Sequence, residues 1–478
     1  MTILASEGVS FPITLPIVII GSGACGLTAA LAAKDAGAEV LVLERDPVPS
    51  GSTALSSGLI PAAGTRFQTS VKVEDTPAIF AEDIQAKAGG DAEQAIVDCV
   101  TENAGPCLEW LADRHDLEWV VLDDFLYPGH SRYRMHAVPE KTGSALIGRL
   151  ITAAQTAGVD IMTDALVTAL YAESNTARIC GLQITRPDGT KEDIGCEALI
   201  LACNGYGGNA EMIRKYIPEM AGADYFGHAG NQGDAVIWGH ELSAATHHLS
   251  ACQGHGSVAT PHGILITWAL MMEGGIQVNL AGERFSNEHQ GYSEQAVDVL
   301  KQPEGVAWNI FDERLHYLGM AFEDYQNAVL QDAVRKADSL EDLAAVTGLP
   351  LDALGKSIAE TAGGSTDRFG RNFAATKPLE PPYRAVKVTG TLFHTQGGLR
   401  INDDARVLNE DASPLPNLFA GGGAACGVSG PRINGYLSGN GLLTAVTLGR
   451  IAGQRAAELV AGHSLKLVMG GGRRSTLG

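Results

Sequence analysis

The stretch Ile17-Val18-Ile19-Ile20-Gly21-Ser22-Gly23-Ala24-Cys25-Gly26-Leu27-Thr28-Ala29-Ala30 limits what this chain can fold into more than any other. It reads as a buried apolar strand, a tight G-x-G-x-x-G turn, then a helix of small residues. Gly21 allows the sharp turn, Gly23 lets backbone approach a pyrophosphate, and Gly26 lets helix and strand pack closely. The helix start, at Ser22, Ala24 and Cys25, offers N–H groups and the positive end of the helix dipole to phosphates. A second apolar run, Ala38 to Leu43, ends in Glu44, 23 positions after Gly21, with Arg45 behind it. A carboxylate at that strand end can accept hydrogen bonds from a ribose diol. Strand, turn, helix and acid together predict a dinucleotide site; the competing reading is an ordinary βα turn.

The length of 478 residues allows two or three domains, and 58 glycines with 45% hydrophobic residues suit a loop-rich α/β enzyme. A formal charge of −21 argues against nucleic acid or an anionic membrane surface as partner. It says little about the substrate, because a local basic pocket can exist in an acidic protein. The eight cysteines are scattered and none forms C-x-x-C, so no zinc, iron–sulfur or c-type haem site is expected. They fit reduced thiols in a cytoplasmic protein. Met1 to Thr14 lacks the pattern of a signal peptide. No apolar run reaches ~18 residues, so no membrane span is expected. The Gly/Arg/Ser-rich tail Gly470 to Gly478 is expected to fray.

Along the chain, the small-residue loop Pro47 to Gly58 follows the strand that carries Glu44 and can line a cofactor. Glu82 to Asp113 reads as helices broken at Gly89-Gly90. The loop Phe125 to His136 packs two Arg, two His and two Tyr into twelve residues, a density uncommon on an idle surface. Gly143 to Ala157 is a helix pattern and Asp160 to Tyr171 a strand with a turn. Ile179 to Arg186 and Lys191 to Cys196 suggest a hairpin, and Ala198 to Gly205 another buried strand. From Cys252 to Phe393 the texture changes, with helices expected at Thr260–Glu273 and Glu341–Gly363 and short strands around Gln277–Asn279. Then the first pattern returns, in a strand at Asn417–Gly423 and a glycine turn, Gly435 to Leu443, leading into a helix at Thr444–Val460 whose N-terminus can face a ring carbonyl or an anion. The fold predicted is α/β, a doubly wound cofactor domain (1–251 and 394–478) with an inserted α+β capping domain (252–393). A cofactor site built from both ends of the chain suits a flavoprotein better than a simple NAD dehydrogenase.

At this point the chain resembles the flavoprotein family of fumarate reductases, succinate dehydrogenases and 3-ketosteroid Δ1-dehydrogenases, over nearly its whole length. The matching residues are Gly21–Gly26 with Glu44, Gly51–Gly58, Cys203–Gly208, Gly282-Glu283-Arg284-Phe285-Ser286-Asn287-Glu288, His394-Thr395-Gln396-Gly397-Gly398 and Leu437–Leu443. The resemblance implies FAD. Its contacts would come from the first turn, from Gly51, Ser52, Thr53, Ser56, Ser57 and Gly58, from Val167, and from Cys203, Asn204 and Gly205. The C-terminal return would add Gly422, Gly423, Ser438, Gly441, Leu442 and Leu443. Covalent members attach FAD through a His in the loop here written Gly51–Ser57; this loop has none, so non-covalent FAD is expected. Gly423 stands where the family often has an acid.

The resemblance also distributes substrate roles. His255 and Thr267 keep the twelve-residue spacing of a substrate-binding His and Thr, and His394 is a further ligand. Fumarate-reducing members place a proton-donating Arg eight residues after the Arg of G-x-R-F; here that residue is Tyr292, and the relaying Glu and Arg fall at Trp268 and Met271. A second substrate-binding Arg aligns near Tyr436, with Arg432 close enough to substitute. Ketosteroid dehydrogenases carry a Tyr after the N-E motif and another before the last glycine turn, like Tyr292 and Tyr436. Tyr292 is then the base that takes the α-proton of a ketone, and Tyr436 with a backbone N–H near Gly441 binds the ketone oxygen. Tyr127 is the candidate for a third Tyr that supports the base.

The side chains support the same chemistry. Desaturation next to a carbonyl removes one hydrogen as a proton and the other as hydride, and donors must stabilise the developing enolate. One phenol can donate while a second acts as base, provided their surroundings differ. His255, Thr267 and His394 fit a substrate with a polar or anionic group; Arg432 or the Arg132/Arg134 pair could meet a carboxylate. The activity expected is dehydrogenation of a ketone, steroid-like or a cyclic oxo acid, with an external electron acceptor and no metal. The rivals are an ene-reductase acting on an activated C=C and a flavin-binding redox protein without turnover.

Overall fold

The computed structural model describes residues 2–364, 366–374 and 376–471; of the expected fraying tail, 472–478 lie outside the described residues. The chain divides into two compact units: Met1–Met212 with Gly227–Cys252 and His394–Gly478, and Ile213–Phe226 with Gln253–Phe393.

The first unit is built on a parallel sheet. Its strands run Asp160–Met162, Val40–Leu43, Thr14–Ile20, Lys191–Leu201 and Pro414–Ala420, each parallel to its neighbour. Ile17, Val18 and Ile19 are fully buried, as expected of a strand covered on both faces. The hairpin and buried strand expected on either side of Glu197 are one element. Lys191–Leu201 pairs antiparallel with Ile179–Thr185 through its first half and parallel with Thr14–Ile20 through its second. Leu166–Ala172 and the short strand Ile3–Ala5 extend that edge. The helix Ala24–Asp35 is buried along ten consecutive residues, and the last helix, Asn440–Gly471, crosses it closely. A Cβ on Gly453 would lie 2.1 Å from the Ala29 carbonyl oxygen. The last helix begins at Asn440 rather than Thr444, so its first turn falls on the Asn440-Gly441-Leu442-Leu443 segment.

The second unit has its own apolar core around a sheet ordered Ile264–Leu265, Cys252–Ala259, Tyr383–Thr395, Val306–Asp312 and Ile276–Val278. Ile213–Phe226, read from sequence as part of the first domain, belongs here, because Asp224–Tyr225 pairs with Thr391 and Leu392. The helix expected at Thr260–Glu273 is instead a turn, the short strand Ile264–Leu265 and the one-turn helix Ala269–Met272. Pro261 and Gly263 (φ 67°) deny the earlier residues a helical path. Glu341–Gly363 holds two helices, Leu340–Thr347 and Leu351–Ala359, separated by Gly348 in the left-handed region.

The motif G-x-R-F-x-N-E is a buried charge cluster. Arg284 donates to both oxygens of Glu288 (3.0 and 2.7 Å) and also reaches Glu360 (2.8 Å) and Asp367 (2.5 Å). Arg371 donates to Glu288 (2.8 Å) and to the carbonyls of Gly275 and Met271. Burial pushes the Glu288 carboxyl up, but the two guanidiniums outweigh it and hold it below the usual carboxylate range. This cluster fixes the end of Ala269–Met272 and the chain entering the helix Tyr292–Leu300.

Candidate active site

In the first unit, Gly21 (φ 103°) turns the strand into the helix; a Cβ there would meet the Ala202 carbonyl at 2.5 Å. Gly23 caps the helix and a Cβ on it would touch only Thr53 Oγ1, at 3.4 Å, so the space before the helix start is open. Ala24 N donates to Thr53 Oγ1 (3.0 Å). Glu44 Oε2 accepts from Ser22 N (3.1 Å) and Ser22 Oγ (2.5 Å), and its Oε1 from Asp46 N (3.0 Å). A carboxylate has about four acceptor sites, which leaves capacity for a hydroxyl. Arg45 is drawn to the Gly230 carbonyl. The loop Gly51–Gly58 carries a short helix, Gly51–Ala54, and Ser52 Oγ accepts from Asn204 (3.0 Å) and Asn231 (2.9 Å). Ser56 caps the loop through the Thr53 carbonyl and the Gly58 N–H. Asn231 was not anticipated; it lies in no motif, and only the fold brings it to Ser52. Val167 is buried in the strand beside Ala165, whose N–H bonds the Glu44 carbonyl.

Gly422 takes φ 57°, and a Cβ on Gly423 would lie 2.2 Å from Asn204 Oδ1. The place where the family often has an acid therefore has no room for a side chain. The open cradle at Gly23, the helix start and the Glu44 carboxylate fit FAD. Cys25 and Cys203 are thiols pushed up by burial; they act as apolar packing.

Around the start of the last helix, Tyr436 is 6% exposed. Burial holds its phenol above the ordinary value, against the pull of the Gly441 and Gly439 backbone N–H groups on its oxygen. An oxygen that accepts such bonds donates its own proton more strongly. His394 meets Tyr436 edge to face, centroids 5.5 Å apart. A Cβ on Gly441 would lie 2.8 Å from His394 Cε1. Burial lowers the His394 imidazole to about 4, so it is neutral near pH 7. Tyr436, Gly441 and His394 are thus brought together.

In the loop Phe125 to His136, Arg134 and the two histidines form a brace, which removes Arg134 as a free cation for a substrate carboxylate. Arg134, 1% exposed, is claimed by Asp75 (2.9 and 3.1 Å) and Asp83 (2.6 Å) and lies over the Phe80 ring. His130 Nε2 bonds the Ser438 carbonyl (2.9 Å), and His136 bonds Thr65 and the Arg134 carbonyl. Burial, with Arg134 adding to it for His130, lowers both imidazoles to about 4. Tyr127 packs on Phe125, and burial with Asp124 beside it pushes its phenol up to about 12. Arg132 is exposed and bonds its neighbour's carbonyl. Arg432 is an exposed partner of Asp91 (2.9 Å) and the Ala88 carbonyl (3.3 Å).

In the second unit, Tyr292 opens its helix just after Gly291 (φ 138°). Its ring stacks on His255 (4.8 Å, 17°), whose ring also stacks on Phe393 (5.5 Å) and meets the edge of Trp268 (5.9 Å). His255 is 5% exposed, and burial lowers it to about 3. Its Nδ1 accepts from Ser257 N (3.2 Å), so the proton sits on Nε2. Thr267 Oγ1 accepts from Ala269 N (3.3 Å) at the start of the short helix. Trp268 and Met271 are buried among apolar residues.

Comparison with known proteins gives a family for this chain. The family described as "FAD binding domain" matches residues 16–442. The protein named "Probable fumarate reductase Ifc3" of Shewanella frigidimarina is 31% identical over 453 residues, 93% of this chain and 75% of its own length. The open conformation of a flavocytochrome c3 fumarate reductase superposes with a TM-score of 0.81 at 30% identity, over 95% of this chain and 80% of that one. A 3-ketosteroid-Δ4-(5α)-dehydrogenase of Rhodococcus jostii RHA1, in complex with 4-androstene-3,17-dione, gives 0.77 at 25%, over 96% and 100%.

Proposed function

The chain belongs to the FAD-binding domain family and is an FAD-dependent oxidoreductase, and from that premise we propose that it desaturates a neutral cyclic ketone between the α and β carbons. One observation carries the choice of substrate. Most cations among the candidate ligands are committed or absent: Arg134 is neutralised by two aspartates, Arg432 is paired with Asp91, and His255 and His394 are neutral, while Arg132 is an exposed side chain bonded to the Ser131 carbonyl. Binding a dicarboxylate calls for guanidinium forks, and the residue that resemblance aligns with the proton-donating Arg is Tyr292. A carboxylate on the substrate, the oxo-acid form of the expectation, is not favoured by these groups.

Tyr436 O–H donates to the ketone oxygen and stabilises the enolate as it develops; the Gly441 N–H, expected from sequence to meet the ketone itself, instead bonds the phenol oxygen and strengthens that donation. His394 adds a neutral donor beside them. In the role the resemblance gives it, Tyr292 first releases its phenolic proton to solvent; the α-C–H bond then breaks heterolytically and its proton passes to the Tyr292 oxygen. The electron pair left on the α-carbon closes the C=C as the β-hydrogen departs with its own pair. FAD, when bound, is the acceptor for that hydride. An external electron acceptor completes turnover, and the eight free cysteines fit work in a reducing cytoplasm.

The second reading, reduction of an activated C=C, is favoured by the 31% identity to the Shewanella protein. Anaerobic bleaching of the bound flavin separates the two. The panel holds cyclic ketones with and without a carboxylate, and the pre-reduced enzyme is offered fumarate and cyclic enones. Bleaching by neutral cyclic ketones supports the proposal. Reoxidation by fumarate with no response to any ketone overturns it.

A further inference from the structure

The second residue after His394 sits inside the motif His394-Thr395-Gln396-Gly397-Gly398 and is 5% exposed. Gln396 Nε2 lies 2.8 Å from His394 Nδ1. An amide nitrogen has only protons to give, so toward Gln396 Nδ1 accepts; the Thr395 carbonyl also lies 3.3 Å from Nδ1 and favours the opposite tautomer, but it is the longer contact. Gln396 Oε1 accepts from Ser429 Oγ (2.8 Å), and Ser429 Oγ accepts from Asn440 Nδ2 (3.1 Å). Ser429 and Asn440 are 1% and 0% exposed. The relay therefore runs one way, from the first residue of the last helix to the imidazole. The backbone of Gln396 is clamped at both ends: its N–H bonds the Ala251 carbonyl and its carbonyl accepts from Gly427 N, each at 2.8 Å.

We infer that Gln396 is a positioning residue that fixes the His394 tautomer, leaving the ring's single proton on Nε2, the nitrogen that packs against Gly441 beside Tyr436. The use of that proton, donation to the ketone oxygen, rests on the reading above; the tautomer does not. Turning both amides round would give the buried, unpartnered Asn440 Oδ1 a proton from Ser429. It would also move the His394 proton to Nδ1 and leave Nε2 an acceptor, which repels a carbonyl oxygen. The relay's direction thus decides whether the site can bind an oxygen there. A Glu at 396 offers Nδ1 an acceptor only. His394 then gains a proton at low pH and keeps Nε2–H, but loses it on the basic side.

The test has two arms. Histidine-labelled ¹⁵N NMR of the holoenzyme, with the His394 signals assigned by their loss in His394→Gln, reads the tautomer without any substrate. A pyrrole-type Nε2 with a pyridine-type Nδ1 is expected, and the reverse pattern, or rapid exchange between the two, overturns the inference. In the second arm, kcat/KM of Gln396→Glu, divided by that of wild type, is expected to fall at least about tenfold between roughly pH 6 and pH 8 as a new ionisation appears. His394→Asn placed in the Gln396→Glu background should abolish that ionisation. A flat ratio with FAD retained shows that Gln396 holds the loop alone. If the NMR pattern is as expected but no ketone turns over in wild type, the lock stands and the proposed reaction falls.

Discussion

The two tyrosines given opposite proton duties are held by different physics. Around Tyr436 the support is neutral: glycines let backbone come close, backbone N–H groups meet the phenol oxygen, and the His130 ring ties down the Ser438 carbonyl. Around Tyr292 the support is ionic: Glu288 is shared by Arg284 and Arg371, and the tyrosine ring lies on a neutral histidine. Neutral close packing keeps a phenol protonated, which suits a donor. A scaffold of buried charges instead fixes the chain rigidly at the helix start that presents Tyr292, which suits a base that must be aimed.

The strongest challenge to this contrast is Tyr292→Phe, which should keep FAD and lower the rate of flavin bleaching by about 10²- to 10⁴-fold. A rate within threefold of wild type places the base elsewhere. Next comes Glu288→Gln. Removing one partner of the buried cluster should cost about 3–5 kcal/mol of stability in denaturant unfolding; a loss below 1 kcal/mol means the second unit is not held by its charges. Tyr436→Phe should lower turnover by about 10²- to 10³-fold, as for removal of one oxyanion donor, with little loss of stability. Unfolding at a series of pH values is the gentler test. The buried imidazoles of His130, His136 and His255 lie at about 4, 4 and 3, below the ordinary 6.5. Between those values the unfolded chain binds more protons than the folded one. Stability is therefore full above pH 6.5 and falls with acidification, by about 1.4 kcal/mol per pH unit for each histidine, until the folded imidazoles protonate. His255→Phe should lessen that slope. The smallest effect is expected of Arg432→Ala. As an exposed ion pair it is worth at most about 1 kcal/mol, and ketone bleaching should be unchanged; a large rise in KM would return Arg432 to the substrate.

Much of this was legible from residue order, and the misses are instructive. The glycine turn, Glu44 and the return of the pattern near Asn417 announced a parallel α/β sheet because they are short-range signals. The loop Phe125 to His136 misled because residue type does not say what a side chain faces. Its arginine and histidines satisfy Asp75, Asp83 and Ser438, all far away in sequence except through the fold. The helix expected at Thr260–Glu273 failed because Pro261 and Gly263 outweigh the apolar spacing. Gln396 was visible inside a motif, but its task depends on Ser429 and Asn440, which no spacing connects to it.

By itself the sequence determined the class of fold, the flavin and the chemical vocabulary of the site, because strand, turn and helix signals and side-chain types act over a few residues. Tertiary structure alone decided which groups keep their charge. Burial neutralised the histidines and distant carboxylates claimed the arginines, since a proton's free energy depends on solvent access and neighbours that only folding brings near.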